Sequence, residues 1–262
     1  MKKWIHIYFA KDGVMCYNEN MKTIIITGAS GDIGSAIVLT LAKKNNNLVL
    51  IYKSNEQRIH NLTSKIIGKC EFSVFQCDLT NEDAIENAVK LAADKYGRID
   101  CLINCAGVSY FEQIQDATTE SYNHVFDNNF KSTMLTISKV SKNMISNRNG
   151  KIINISSMWG VVGASVESLY SASKAAINNL TLSLAKELGP SNITINTICP
   201  GLIDTKMNSN LSAQDKDEII SNTPLKRIGT PTDVANLVEF FVSNKSNFIT
   251  GQIVTLDGGL TL

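Results

Sequence analysis

The chain has 262 residues, of which 44% are hydrophobic and 19% charged, a composition that can bury a sizeable core and argues against a disordered polypeptide. Its 25 Lys and Arg residues barely exceed its 24 Asp and Glu residues, so it lacks the basic excess expected of a nucleic-acid-binding protein. No apolar stretch reaches the roughly 18 residues that a membrane span requires, so we expect neither nucleic acid nor membrane as a partner.

The first 20 residues lie outside the pattern of elements that follows. Their apolar run is broken by His6 and stopped by Lys11, which is unlike a signal peptide. Met21 stands directly before the first predicted strand and is a plausible true start. We therefore interpret residues 1–20 as a non-targeting, dispensable N-terminal extension and residues 21–262 as one domain.

Short apolar, β-branched runs alternate with longer amphipathic runs from residue 22 onward. The runs predict strands at Lys22–Thr27, Leu48–Tyr52, Glu71–Gln76, Cys101–Asn104, Lys151–Ser156, Thr194–Ile198 and Gln252–Leu256. They predict helices at 33–44, 55–67, 81–96, 119–147, 171–188 and 231–243. Strands that are apolar on both faces are typical of a parallel sheet covered by helices, so we predict an α/β fold with a doubly wound, seven-stranded parallel sheet.

The six cysteines are scattered and form no Cys-x-x-Cys pair. Cys101 and Cys105 lie in or just after one predicted strand, where four residues span roughly 13 Å, too far for a disulfide. Free thiols of this kind fit a reducing cytoplasm, and no metal site is predicted.

A glycine-rich turn follows the first predicted strand. Residues 27–34 read Thr-Gly-Ala-Ser-Gly-Asp-Ile-Gly and open directly into a helix. Glycines allow the backbone to turn sharply and to approach a ligand, while the helix N-terminus presents N–H groups to an anion. Glycines also occur in many ordinary strand-to-helix turns. The position between strand and helix favours a phosphate-binding turn.

A second motif, Tyr170-Ser171-Ala172-Ser173-Lys174, places a phenol and an amine one helical turn apart. Taken alone, Tyr-x-x-x-Lys is common by chance. Here it heads an apolar helix and follows Ser157, thirteen residues upstream, at the end of the fifth predicted strand.

Together these motifs resemble the short-chain dehydrogenase/reductase family, and the resemblance spans residues 21–262 with its motifs in the family's order. It implies a Rossmann-like fold and a nicotinamide dinucleotide cofactor. One departure is plain, because Asp32 stands where the family's turn has its middle glycine. We expect Asp32→Gly to leave cofactor affinity equal or better. The cofactor-binding residues that the resemblance implies are Gly28, Ser30, Gly31, Asp32, Ile33, Gly34, Lys53, Ser54, Asp78, Leu79, Asn104, Ala106, Gly107, Tyr170, Lys174, Pro200, Gly201, Ile203 and Thr205.

The end of the second strand indicates which dinucleotide is bound. An Asp or Glu there would select NAD, whereas this chain has Lys53 and Ser54, which offer a cation and a hydroxyl to the 2′-phosphate of NADP. Lys53 could also be an ordinary solvated lysine; we favour the NADP contact. Asp78 resembles the family's adenine contact, and a helix N-terminal acid is the alternative.

The resemblance also implies a catalytic set of Ser157, Tyr170, Lys174 and Asn129. Tyr170 would donate a proton to the alkoxide that forms when hydride is added to a ketone. The Lys174 ammonium would favour the phenolate, bringing the pKa of Tyr170 closer to working pH, and would hold the nicotinamide ribose. Ser157 would donate to the carbonyl oxygen, and Asn129, preferred over Asn128, would anchor a water.

Within the family, several segments are most similar to 3-oxoacyl-acyl-carrier-protein reductases. The expected reaction is NADPH-dependent reduction of a 3-oxoacyl thioester in fatty acid synthesis, with an acyl-carrier-linked or small-molecule substrate. Arg148 matches one basic docking position of that group, and Ser191 stands at a second. Alternatives are reduction of a sugar, polyol, steroid-like or acyl-CoA carbonyl, or a non-catalytic dinucleotide-binding regulator. Residues 208–225 would form a substrate lid, and the resemblance implies a homotetramer.

Overall fold

The computed structural model describes residues 21–42, 46–209 and 211–262, so the predicted extension at 1–20 lies outside the described residues. Seven strands of the described residues form one sheet. In chain order, β1 to β7 are Thr23–Thr27, Asn47–Tyr52, Glu71–Gln76, Cys101–Asn104, Gly150–Ile155, Ile193–Pro200 and Ile253–Leu256.

All neighbouring strands are parallel, and their order across the sheet is β3-β2-β1-β4-β5-β6-β7. The chain therefore winds outward from β1 to one edge, returns to the middle at β4 and winds to the other edge. This confirms the predicted doubly wound, seven-stranded parallel sheet. The reversal between β1 and β4 opens a crevice at the carboxyl ends of these strands, where ligands bind in sheets of this type.

Helices cover both faces of the sheet. In chain order, the helices of the described residues are α1 Asp32–Leu41, α2 Glu56–Thr63, α3 Glu82–Tyr96, α4 Thr119–Phe126, α5 Ser132–Asn147, α6 Trp159–Val162, α7 Ser168–Leu188, α8 Ala213–Asn222 and α9 Pro231–Val242. Because successive strand residues point to opposite faces, Ile24 and Ile26 pack with α1, α2 and α9, whereas Ile25 packs with α3, α5 and α7. All three isoleucines are fully buried, which explains the continuous apolar runs of the sequence.

The helix predictions hold in outline. The single helix predicted at 119–147 is interrupted by a π-helical turn at Asp127–Lys131, between α4 and α5. The predicted lid contains α8, whose N-terminus is capped by a capping box between Ser212 and Asp215. Across the described ranges, no helix combines the length and apolarity needed to span a membrane.

Thr27 ties β1 to β4 where the crevice opens. Its hydroxyl oxygen accepts the backbone N–H groups of Cys105 at 3.0 Å and of Ala106 at 3.2 Å. The next residue, Gly28, has a φ of 65°, and a Cβ there would lie 2.8 Å from the Ala106 backbone. The two strand ends can thus approach only because residue 28 is glycine and residue 27 supplies an acceptor.

Thr27→Val should lower the free energy of unfolding by about 2 kcal/mol, because two partly buried N–H groups lose their acceptor while the side-chain shape is kept. Thr27→Ser keeps the hydroxyl and should cost only about 1 kcal/mol for the lost methyl group. Urea unfolding of both variants measures the difference. Equal losses would contradict the bridging role of the hydroxyl.

Candidate active site

A cleft of about 870 Å³ runs along the carboxyl ends of the strands, from the glycine turn after β1 to the start of α7. Nearly all of the site residues predicted from the sequence line this cleft. They are Gly28, Ser30, Gly31, Asp32, Ile33, Gly34, Lys53, Ser54, Asp78, Leu79, Ala106, Gly107, Ser157, Tyr170, Lys174, Pro200, Gly201, Ile203 and Thr205.

The two remaining predicted residues lie behind the cleft wall. Asn104 is buried at the end of β4, and its side-chain amide donates to Asn154 at 2.9 Å. Asn129 is fully buried in the π-helical turn, where its side chain accepts from the Val108 N–H at 2.8 Å and donates to Ser173 at 3.0 Å. Its neighbour Asn128 lines the cleft instead.

The glycine turn is shaped for close approach of a ligand backbone. A Cβ on Gly34 would lie 2.2 Å from the carbonyl oxygen of Gly28, so α1 can begin this close to the turn only with glycine at that position. A Cβ on Gly107, across the cleft, would lie 3.2 Å from the amine nitrogen of Lys174. The N-terminus of α1 lies at one end of the cleft, and Gly107 leaves space for a ligand farther along it. This arrangement fits a dinucleotide whose pyrophosphate lies at α1.

The β2 end of the cleft carries paired charges. The Lys53 ammonium and the Asp78 carboxylate are 3.0 Å apart, and the two side chains are 54% and 45% exposed. Burial alone would raise the pKa of Asp78, but hydrogen bonds from Thr80 and Lys53 lower it below its ordinary value. Asp78 lies before α3, whose N-cap is Asn81, which accepts the Ala84 N–H.

The opposite end of the cleft brings together three groups of the predicted catalytic set. Tyr170 and Lys174 are buried on α7, and Ser157 follows β5. The Lys174 amine nitrogen lies 5.7 Å from the centroid of the Tyr170 ring and donates to the Ile155 carbonyl at 3.1 Å. A phenol, an amine and a hydroxyl therefore share one small region.

Buried hydrogen bonds fix α7 in position above the sheet. Asn154 on β5 donates to Thr181 at 3.0 Å, and Thr181 and Thr197 on β6 share a hydrogen bond of 2.7 Å. The Ser156 hydroxyl donates to the Lys174 carbonyl at 3.0 Å. These directional contacts set both the rotation and the height of α7, and hence the positions of Tyr170 and Lys174.

Burial dominates the ionisation of this cluster. It raises the pKa of Tyr170 to about 12, although a hydrogen bond from Ser157 opposes the rise. Burial also lowers the pKa of Lys174 to about 8. The structure does not show the lowering of the Tyr170 pKa expected from Lys174, because burial of the phenol is the largest influence on that pKa.

Sequence reasoning missed three charged residues that line the cleft, Arg58, Glu167 and Lys206. Arg58, in the first turn of α2, forms an ion pair with Asp32. Glu167 is half-buried three residues before Tyr170; burial raises its pKa, and a hydrogen bond from Trp159 opposes this. The spacing of Glu167 from Tyr170 could have identified it, whereas nothing local connects Arg58 to the turn. Within the described ranges, no group of three or more His, Cys, Asp or Glu could hold a metal.

The chain is similar to several known proteins. Residues 28–261 match a family model described as enoyl-(acyl carrier protein) reductase. The 3-oxoacyl-[acyl-carrier-protein] reductase FabG of Staphylococcus epidermidis is 33% identical over 240 residues, covering 91% of this chain and 98% of the relative. The uncharacterized oxidoreductase YmfI of Bacillus subtilis is 35% identical with the same coverage. A short-chain type dehydrogenase/reductase structure from Mycobacterium ulcerans has 27% identity and a TM-score of 0.87, covering 91% of this chain and 89% of that one.

Lys174→Met should make the protein more stable near neutral pH. The pKa of Lys174 is about 8 in the fold against an ordinary 10.5, so the unfolded chain binds more protons between these values and stability rises with pH across that window. Below about pH 8, the buried charge lowers the free energy of unfolding by up to about 3 kcal/mol. In urea unfolding, the variant should have a higher free energy of unfolding than wild type near pH 7, and this difference should disappear by about pH 10.

The control is Lys186→Met, on the exposed side of the same helix. Its stability difference from wild type should not follow this pH window. A gap for Lys174→Met that is absent near pH 7, or that persists unchanged to high pH, would contradict the buried charge.

Proposed function

Because the chain belongs to the short-chain dehydrogenase/reductase family, whose members use a nicotinamide dinucleotide, we propose that it reduces a ketone to a secondary alcohol with NADPH. The substrate that we favour is a 3-oxoacyl thioester. The observation that carries the proposal is the meeting of Tyr170, Lys174 and Ser157 at one end of a cleft whose other end is the glycine turn.

The chain's own residues would handle the carbonyl oxygen. A bound dinucleotide supplies the hydride. Tyr170, whose pKa is raised to about 12, stays protonated at neutral pH and donates its proton to the alkoxide that forms as the carbonyl carbon is reduced. Ser157 donates a hydrogen bond to the same oxygen and stabilises the developing charge.

Lys174 would hold the nicotinamide ribose with its amine. Asn129 would anchor a water that connects Lys174 to bulk solvent. Because Gly107 has no side chain, nothing at that position stands between the Lys174 amine and the cleft. Burial of Tyr170 and Lys174 excludes bulk water from the region in which the proton moves.

The preference for NADPH rests on the cations at the β2 side of the cleft. Lys53 and Arg58 both line it, and a 2′-phosphate is recognised by such groups. The ion pair of Lys53 with Asp78 is about half exposed, and pairs of that kind contribute little, so it leaves Lys53 able to turn toward a phosphate.

Two observations bear on the substrate. The match to relatives named 3-oxoacyl-[acyl-carrier-protein] reductase extends over nearly their whole length. The cleft is also lined by apolar side chains that could hold an acyl chain, namely Phe111, Met207, Leu211 and Ile219. The second candidate is a hydroxylated ketone such as a ketose sugar, favoured by the Glu167 carboxylate, which could accept hydrogen bonds from its hydroxyl groups. A purely regulatory dinucleotide-binding protein would not need the catalytic tyrosine.

The assay that separates these candidates follows NADPH oxidation with acetoacetyl-CoA, an acetoacetyl-acyl-carrier thioester and a panel of sugars and steroid-like ketones. Turnover of a thioester supports the first candidate, and turnover of sugars alone supports the second. Dinucleotide binding without turnover on any ketone would favour the regulator.

We further propose that the protein works in the cytoplasm as a homotetramer. Phe248 and Leu262 are fully exposed apolar side chains in the single chain, and contact with another copy would cover them. The measured molecular mass in solution tests this part.

Tyr170→Phe should lower turnover by about 10²- to 10⁴-fold, because the variant lacks the proton donor, while dinucleotide affinity changes little. Steady-state kinetics on the best ketone and a binding titration measure both quantities. Tyr122→Phe, on an exposed tyrosine outside the cleft, is the control and should match wild type. A Tyr170→Phe enzyme of near-normal turnover would overturn the mechanism.

Lys53→Asp should shift the preference from NADPH toward NADH by about tenfold or more, since a carboxylate repels the 2′-phosphate and accepts from a ribose hydroxyl. The ratio of kcat/KM for the two dinucleotides is the measurement. Lys65→Asp, exposed and outside the cleft, controls for the change in net charge. An unchanged ratio would refute the role of Lys53.

A further inference from the structure

Asp32 places a carboxylate at the phosphate end of the cleft. It is the first residue of α1, directly after the glycine turn, and it lines the cleft. A negative side chain is favourable at a helix N-terminus. The same N-terminus would bind the pyrophosphate of a dinucleotide, so the Asp32 carboxylate lies beside the site where the ligand's negative charge would bind.

The Asp32 carboxylate joins three separate segments. One oxygen accepts the backbone N–H of Lys206 at 2.8 Å, in the segment that leads from β6 to the lid helix α8. The other accepts from the Arg58 guanidinium of α2. The side chains of Arg58 and Asp32 are only 29% and 23% exposed, so this pair is better shielded from water than the Lys53–Asp78 pair.

Both donors also line the cleft. A guanidinium and a backbone N–H are the groups that bind phosphate oxygens. Burial alone would raise the pKa of Asp32, but these hydrogen bonds lower it below its ordinary value, so the carboxylate is charged at neutral pH. A phosphate approaching the turn therefore meets a fixed negative charge that already occupies suitable donors.

We propose that Asp32 determines the affinity of the dinucleotide site by competing with the ligand's phosphates for Arg58 and for the Lys206 N–H. A bound dinucleotide takes these donors, and the carboxylate releases them. This inference rests on the proposed function, because it treats the cleft as a dinucleotide site. It assigns to Arg58 a phosphate contact and to Asp32 a restraint on cofactor affinity.

The test is equilibrium titration of NADH and NADPH, followed by the fluorescence of the reduced nicotinamide, without any ketone. Asp32→Asn and Asp32→Gly should both bind more tightly than wild type, by at least about fivefold, the lower range for coupling between groups that share contacts. Equal gains for the two dinucleotides assign the contested donors to the pyrophosphate, and a larger gain for NADPH assigns Arg58 to the 2′-phosphate.

Arg58→Gln separates competition from simple charge repulsion. It should weaken dinucleotide binding, and the gain from Asp32→Asn should shrink in the double variant because the main contested donor is gone. The matched control is Asp233→Asn, which removes an Asp–Arg pair with Arg227 at the N-terminus of α9, outside the cleft. It should leave dinucleotide affinity unchanged.

Hydrogen exchange of the Lys206 amide gives a second readout. In the ligand-free protein, Asp32→Asn and Asp32→Gly should exchange this amide faster than wild type, and a saturating dinucleotide should restore its protection in both.

Unchanged or weaker dinucleotide affinity in both Asp32 variants would overturn the inference, as would an undiminished gain in the double variant. Wild-type protein that binds neither dinucleotide would instead overturn the proposed function.

Discussion

The register of α7 against β5 and β6 is the constraint on which the active site depends. Apolar contacts alone would tolerate small rotations of this helix, whereas the buried hydrogen bonds among Asn154, Thr181 and Thr197 would be lost. A buried polar group without a partner costs about 1 to 3 kcal/mol, so sliding or turning α7 is strongly disfavoured. Tyr170 and Lys174 consequently face the cleft beside Ser157.

The same end of the sheet collects groups that reduce stability. Lys174 is a buried cation, and the side-chain oxygen of Asn104 is buried without a partner. The two apolar layers around the strands offset these costs, and polar side chains remain at the end of the cleft beside Tyr170. This division of labour is typical of enzymes, in which the site is built from groups that the rest of the fold must support.

Much of this architecture could be predicted from the sequence. The apolar runs gave strand positions because both sheet faces are buried, and the glycine turn and Tyr170–Lys174 pair are local motifs with fixed geometry. The features that could not be predicted depend on distant contacts. The π-helical turn around Asn129, the inward amide of Asn104 and the Arg58–Asp32 pair arise from tertiary packing, and so does the burial that raises the pKa of Tyr170.

A crystal structure of the protein with bound reduced dinucleotide tests the central claim most directly. The decisive quantity is the distance from the hydride-bearing carbon of the nicotinamide to the hydroxyl oxygen of Tyr170. The account predicts a gap between these atoms that one carbonyl group would fill, with the Lys174 amine in hydrogen-bond contact with the adjoining ribose. A nicotinamide lying elsewhere, or α7 turned so that Tyr170 leaves the cleft, would contradict it.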